Sequence, residues 1–179
     1  YPVQLFNSGY SWEVNKKLEV AIELGFFKDR INMGVSWYRN QSSNQLVGYS
    51  LPNLTGFTEV QANLPATVQN TGWELELTTQ NIRSESLWWN TSFNISFPRN
   101  RLVNYPDIEQ SSYANRYRIG HPLNIRLLFE YNGLDPESGF YNVKDFNEDG
   151  RYNDEDRQII IDLGRKFFGG INNTLNYKG

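Results

Sequence analysis

The sequence predicts an all-β protein of long antiparallel strands, of the kind that form a transmembrane β-barrel with long extracellular loops. Three observations predict this fold class. Apolar and polar residues alternate with a period of two in several stretches. The main stretches reach about ten residues, which is the length that a tilted strand needs to cross a bilayer. The connections between them are alternately short and long, as periplasmic turns and extracellular loops are in outer-membrane barrels.

The first predicted hairpin covers about residues 17–39. Apolar residues occupy every second position from Leu18 to Phe26 and again from Ile31 to Trp37, with mostly polar or small residues between them. Lys28-Asp29-Arg30 separates the two stretches and has the polar composition of a tight turn. This pattern predicts an antiparallel pair with one apolar and one polar face.

A second predicted hairpin covers about residues 72–97, and a last strand covers about residues 167–178. In the hairpin, a short connection from Asn81 to Ser86 joins two alternating stretches. Long loops are predicted at about residues 40–70 and 98–166. The second loop holds one expected short strand, from Ile125 to Tyr131.

Composition narrows the class of protein. The chain has 179 residues, a net charge of -3, no cysteine and no cluster of basic residues, so we expect no nucleic-acid partner and no disulfide. Its aromatic fraction of 15% is high, which favours strands and membrane girdles. No apolar run approaches the ~20 residues of a transmembrane helix. Because no signal peptide is recognisable at Tyr1, and Tyr177 to Gly179 continues a strand pattern, we expect a segment of a longer protein.

Several short motifs occur in an order that resembles the late barrel region of SusC/RagA-like TonB-dependent transporters, and they span almost the whole chain. Each motif alone is weak, and their order carries the resemblance. They are Phe26-Phe27-Lys28-Asp29-Arg30, Asn70-Thr71-Gly72-Trp73-Glu74-Leu75, Ser92 to Phe97, Tyr117 to Leu123, Asp145 to Asp156, Phe168 to Thr174 and Tyr177-Lys178-Gly179.

The resemblance implies that residues 1–179 are part of a TonB-dependent receptor β-barrel domain in the outer membrane of a Gram-negative, Bacteroidetes-like cell. Such a barrel has about 22 strands and a plug in its lumen. The resemblance also implies partners: TonB, acting through an N-terminal region outside these residues, and a SusD-like surface lipoprotein that hands over glycans or peptides. It implies a transporter and no enzyme activity.

The stretch from Asp145 to Asp156 has the spacing of a calcium-binding loop. Oxygen ligands are expected at loop positions 1, 3, 5, 7, 9 and 12, and glycine at position 6 permits the sharp turn. Gly150 stands at position 6. The alternative is a solvated acidic turn without metal. The expected ligands of a structural Ca²⁺ are Asp145, Asn147, Asp149, the carbonyl of Arg151, Asn153 and Asp156.

Other chemistry-bearing residues have structural alternatives. Four glutamates on the predicted lumen face could contact substrate or plug, form an ordinary polar wall, or, as paired carboxylates, serve a glycosidase. His121 has no nucleophile motif beside it. Tryptophans near strand ends could form a membrane girdle or a sugar-stacking platform. The glutamates are Glu19, Glu23, Glu74 and Glu76, and the tryptophans are Trp37, Trp73 and Trp89.

One rival fold stays open from the sequence. A secreted, calcium-stabilised β-sandwich that binds glycans would also be rich in strands and aromatic residues. It would need roughly seven short strands at regular spacing. The uneven strand and loop lengths favour the barrel instead.

Overall fold

The fold was determined from a computed structural model, which describes residues 9–50 and 59–178. Its main strands are β1 (Val14–Phe26), β2 (Ile31–Ser50), β3 (Glu59–Arg83) and β4 (Leu87–Asn104), followed by β5 (Ile125–Leu128), β6 (Tyr131–Leu134), β7 (Tyr141–Val143), β8 (Ile159–Asp162) and β9 (Phe168–Tyr177). Two short 3₁₀ helices cover Ile108–Gln110 and Asp154–Asp156. Within the described residues, no helix is long and apolar enough to span a membrane.

The chain divides into two compact units. The sheet unit comprises residues up to Asn100 together with those from Arg165 onward, and the loop unit is Arg101–Gly164. The sheet unit holds a five-stranded sheet with the strand order β1-β2-β3-β4-β9. Pairs β1–β2, β2–β3 and β4–β9 are antiparallel. The predicted all-β antiparallel fold is confirmed.

Register gives strands β1, β2 and β3 one continuous apolar face. Ile22 lies opposite Val35, which lies opposite Leu75, so the three side chains share a face of the sheet. Val20, Trp37 and Trp73 form the next such row toward the other end of the strands. In β1 the apolar positions run from Leu18 to Phe26, which is about 26 Å along the strand at ~3.3 Å per residue.

The predicted loop at residues 40–70 is wrong over most of its length. Residues 40–50 continue β2 and residues 59–70 belong to β3, so these strands have 20 and 25 residues. Residues 51–58, which would hold the remainder of that loop, lie outside the described part of the chain. Alternation is hard to see here because both faces carry polar residues, for example in Asn40-Gln41-Ser42.

The predicted loop at residues 98–166 also needs correction. Its first residues extend β4 to Asn104, past Pro98. Pairing of β4 with β9 ends at Ser96, so Pro98 lies where that edge of β4 has no partner in the described ladder. Farther on, the short strand expected from Ile125 to Tyr131 is observed only as far as Leu128, as β5, and Tyr131 begins β6. Two small sheets, β5–β8 and β6–β7, lie in the loop unit.

The loop unit has its own small core. Leu102, Tyr105, Ile108 and Ile125 are buried. Tyr105, Tyr113 and Tyr117 form a row of ring contacts with centroid separations of 6.1 and 5.5 Å. This core and the adjoining small sheets support the segment that contains the acidic loop.

Candidate functional site

The acidic loop, Asp145 to Asp156, lies between β7 and β8 in the loop unit. Its turn contains two left-handed positions that are separated by one residue: Glu148 has a φ of 56° and Gly150 a φ of 76°. Glycine adopts this conformation without the strain that a Cβ causes. The sequence-based role of Gly150 as the residue that permits the turn agrees with this geometry.

Side-chain oxygens of the loop accept hydrogen bonds from its own backbone. Asp145 Oδ2 accepts from Gly150 N at 2.8 Å, Asp149 Oδ1 from Arg151 N at 2.8 Å, and Asn153 Oδ1 from Glu155 N at 2.7 Å. Asn147 Oδ1 accepts from Asp149 N at 3.2 Å. Each of these bonds holds a side-chain oxygen against the turn that follows it.

Asp156 closes the loop from its far end. Its carboxylate accepts from Phe146 N at 2.8 Å and from Asn153 N at 2.9 Å, and the side chain has no solvent exposure. The backbone N–H of Asn153 lowers the pKa of Asp156, and the N–H of Phe146 adds to this, whereas burial acts in the opposite direction. Asp156 is therefore a buried carboxylate stabilised in its charged form.

The Oδ1 atom of Asp145 is the feature of the loop that favours a bound cation. Its Oδ1 is buried and has no hydrogen-bond partner, which is costly for a carboxylate oxygen unless a donor or cation reaches it. Yet over residues 9–50 and 59–178, no three acidic or histidine side chains converge closely enough to hold a metal ion.

One residue of the loop was not among the expected ligands. Glu155 Oε2 accepts from the Asn147 side-chain amide at 2.8 Å. This hydrogen bond connects the first half of the loop to its second half. Loop spacing alone could not indicate this, because Glu155 occupies a position that supplies no ligand in the twelve-residue pattern.

The polar face of the sheet carries the glutamates identified from the sequence. Glu23 and Glu76 lie opposite Gly34 from either side, and Glu74 lies opposite Ser36. Glu19 pairs with Tyr38 on the same face. The register therefore gathers all four glutamates on one face, in agreement with the alternation in the sequence.

The tryptophans lie where the apolar face ends. Trp37 is opposite Trp73, and the next row toward the hairpin tip contains Arg39, whose Nε donates to Gln69 Oε1 at 2.8 Å. Trp89 in β4 donates from Nε1 to Asn173 Oδ1 at 3.1 Å. An amphipathic ring at the border between apolar and polar rows is typical of a membrane-interface girdle.

These features define a class of protein. Antiparallel strands of up to 25 residues, with one apolar face bordered by aromatic residues and one polar face, form a portion of a transmembrane β-barrel wall. Comparison with solved structures confirms the barrel fold. The RagAB peptide importer in its open-open state matches 98% of this chain and 20% of that chain, with a TM-score of 0.71 and 18% identity. Its closed-closed state matches with a TM-score of 0.68.

Sequence comparison then identifies the relatives. A TonB-dependent receptor of Formosa agariphila is 32% identical over 133 residues, which are 74% of this chain and 13% of the relative. The TonB-dependent receptor SusC of Bacteroides thetaiotaomicron is 20% identical over 192 residues, 97% of this chain and 19% of the relative. No family model matches. The chain thus spans about a fifth or less of these relatives, and its resemblance to SusC/RagA-like TonB-dependent transporters is confirmed.

Proposed function

We propose that this chain forms part of the wall and loops of an outer-membrane importer that takes up oligosaccharides or peptides. The observation that carries the proposal is the register, which places apolar residues of β1, β2 and β3 in continuous rows on one face and glutamates on the other. The apolar face would contact lipid and the polar face would line the lumen. The names of the relatives, TonB-dependent receptor, SusC and peptide importer, support the same function.

The proposal also names an energy source and a partner for import. Import would be driven through TonB, acting on a region of the protein outside these residues, and a SusD-like lipoprotein would cover the barrel and deliver substrate. The chain itself would perform no covalent chemistry. The rival β-sandwich is not favoured, because the described strands form one five-stranded sheet and two two-stranded sheets instead of two packed sheets of similar size.

The test of the proposed function is uptake by cells that produce the full-length protein. Cells with the protein should accumulate a labelled oligosaccharide or peptide, and cells lacking either the protein or TonB should not. Equal uptake by the TonB-deficient cells would contradict the proposed mechanism. A full-length protein with Ser36→Thr, a conservative change on the polar face, serves as the expression-matched control.

We also propose that the acidic loop binds a structural Ca²⁺. The unpartnered, buried Oδ1 of Asp145 supports this, as do the hydrogen bonds that already position Asn147, Asp149 and Asn153. Asp156 and the carbonyl of Arg151 would complete the ligand set, with oxygens at about 2.3–2.6 Å from the ion. The small rearrangement needed to converge these ligands would rigidify the loop.

Calorimetric titration of the full-length protein with Ca²⁺ tests the site. We expect submillimolar binding, and Asp149→Asn should weaken it at least about tenfold, because it removes one ligand charge while keeping the oxygen that accepts from Arg151 N. Asp135→Asn is the matched control, since Asp135 also caps a turn, accepting from Glu137 N and Ser138 N. Absence of binding by the parent protein at millimolar Ca²⁺ would leave only an acidic turn.

A further inference from the structure

The loop unit contains an open cavity of about 430 Å³ that is separate from the expected calcium ligands. One wall is the segment from Ile108 to Ile119, and the other is formed by Asp154, Glu155 and Gln158. Both walls lie within the loop unit. A volume of this size accommodates one or two amino-acid side chains or a small ligand.

The cavity combines an aliphatic surface with carboxylates. Ile108, Ala114 and Ile119 supply the apolar part. Carboxylates of Glu109 on one wall and Glu155 on the other supply negative charge. Such a lining suits a long side chain that packs its methylene stem on apolar residues and presents a positively charged head.

The charged residues that line the cavity differ in whether they have an ion-pair partner. Asp154 has an ion-pair partner, Arg157, at 3.0 Å, and it also accepts from the Asn115 amide at 2.8 Å. Nη1 of Arg118 donates to the backbone carbonyls of Ala114 and Tyr117, and this guanidinium contributes one positive charge to the lining. Glu109 makes no ion pair or hydrogen bond through its side chain among the described residues. With Asp154 paired to Arg157, the two glutamates against Arg118 leave the lining with one net negative charge.

Aromatic stacking of a sugar is disfavoured at this cavity. Tyr117 is the aromatic residue in the lining, and its ring already stacks on Tyr113 with a centroid distance of 5.5 Å. The guanidinium of Arg116 lies over the same ring, 5.2 Å from its centre. A sugar ring would have to displace one of these groups before it could stack.

We propose that this cavity binds a lysine or arginine side chain of a peptide. The head group would lie between the carboxylates of Glu109 and Glu155, and its stem would pack on Ile108 and Ile119. The acidic loop holds one wall in place, because Asp156 follows Glu155 and is fixed by two backbone N–H groups. This inference rests on the proposed import function and specifies its substrate as a cationic peptide.

The probe is the tripeptide Gly-Lys-Gly, titrated into the purified full-length protein at constant Ca²⁺. Gly-norleucine-Gly, which has a similar stem without the charge, and a neutral trisaccharide are the comparison ligands. We expect Gly-Lys-Gly to bind, its affinity to fall with added salt, and the two neutral ligands to bind at least about fivefold more weakly. The salt dependence is expected because screening weakens a partly solvated ion pair.

Glu109→Gln should weaken Gly-Lys-Gly binding about threefold to fivefold, which corresponds to the loss of a partly exposed ion pair. The matched control is Glu137→Gln, an exposed glutamate in the β6–β7 turn of the same unit, which should leave affinity unchanged. Equal effects of the two variants, or equal binding of the norleucine peptide or the trisaccharide, would overturn the inference.

Uptake separates this inference from the proposed function. Binding does not require TonB, so a protein that imports substrate in a TonB-dependent manner but does not bind Gly-Lys-Gly refutes the cavity assignment alone. Binding by a protein that gives no TonB-dependent uptake would refute the importer and leave the cavity assignment intact.

Discussion

At the scale of single residues, Asp156 shows how a buried charge can be kept in a small loop unit. Burial alone would favour the neutral acid, but two backbone N–H groups, at 2.8 and 2.9 Å, stabilise the carboxylate. The net result is a pKa below the ordinary value of aspartate, with the N–H of Asn153 as the largest cause. Asp135 shows the same effect at an exposed turn, where the N–H of Ser138 is the main cause of its lowered pKa.

The lowered pKa of Asp156 predicts acid sensitivity of the acidic loop. A carboxylate whose folded-state pKa is depressed contributes stability above its unfolded pKa, about 3.9, and loses it as the pH falls through the folded-state value. We therefore expect hydrogen-exchange protection of the Phe146 and Asn153 amides to be constant from neutral pH to about pH 4 and to fall below it.

The control for this prediction separates Asp156 from general acid effects. Asp156→Asn should show low protection of these amides already at neutral pH, with little further change on acidification. Asp107→Asn, at an exposed left-handed position next to the other 3₁₀ helix, should behave like the parent protein. A parent protein whose protection is unchanged at pH 3 would contradict the role assigned to Asp156.

At the scale of elements, the long strands have two parts that differ in composition. The parts of β1, β2 and β3 that carry apolar rows form the expected membrane wall. Beyond Trp37 and Trp73, β2 and β3 remain paired past the apolar rows, and this extension is of mixed composition, with Ala66 and Val68 buried in β3. Asn44 and Asn63 fasten this extension to the segment before β1, through bonds of 2.7–2.9 Å to Ser11 and Trp12.

Alternation predicted the parts of β1, β2 and β3 that carry the apolar rows, but it did not predict the extension of β2 and β3 beyond them. Period-two patterns are visible only where apolar and polar residues face opposite sides, as from Leu18 to Phe26. Where both faces are polar, as in Asn40-Gln41-Ser42, backbone hydrogen bonds still form the ladder, yet the side chains give no contrast. For the same reason, the sequence pattern predicts a loop at residues 40–70.

The acidic loop was predictable because its ligand types recur at short, fixed spacing, and Gly150 adopts the left-handed conformation that the pattern requires. The cavity was not predictable. Glu109 and Glu155 are far apart in sequence, and only the packing of the loop unit brings their segments together.

A substitution on each face of β2 tests the assignment of the faces. Val35→Arg, in the middle of an apolar row, should lower the free energy of unfolding of the full-length protein in lipid vesicles by about 2–4 kcal/mol, because the guanidinium would face hydrocarbon. Ser36→Arg, the next residue but on the polar face, should cost far less. Equal costs, measured by urea titration, or a larger cost for Ser36→Arg, would mean that the faces are assigned the wrong way round.

At the scale of the whole molecule, the two units obtain their stability from different sources. The loop unit buries Leu102, Tyr105, Ile108 and Ile125 in a core of its own. The sheet unit leaves apolar side chains exposed on its edge strands: Ile22 in β1 is 59% exposed and Ile171 in β9 is 69% exposed. Its backbone ladder is satisfied between neighbouring strands, but its apolar face requires lipid or another apolar surface.

This difference predicts how the 179-residue chain behaves when it is produced alone. In aqueous buffer it should self-associate, because the apolar rows and the outer edges of β1 and β9, which have no partner strand in the described sheet, can bind to other copies. Detergent above its critical micelle concentration should disperse these assemblies by covering the apolar face. Sedimentation velocity with and without detergent measures the change.

Replacing Ile22 and Val35 by Ser should reduce association in water, whereas Ser36→Thr, on the polar face, should not. A parent chain that sediments as a folded monomer without detergent at tens of micromolar would show that its apolar face needs no cover.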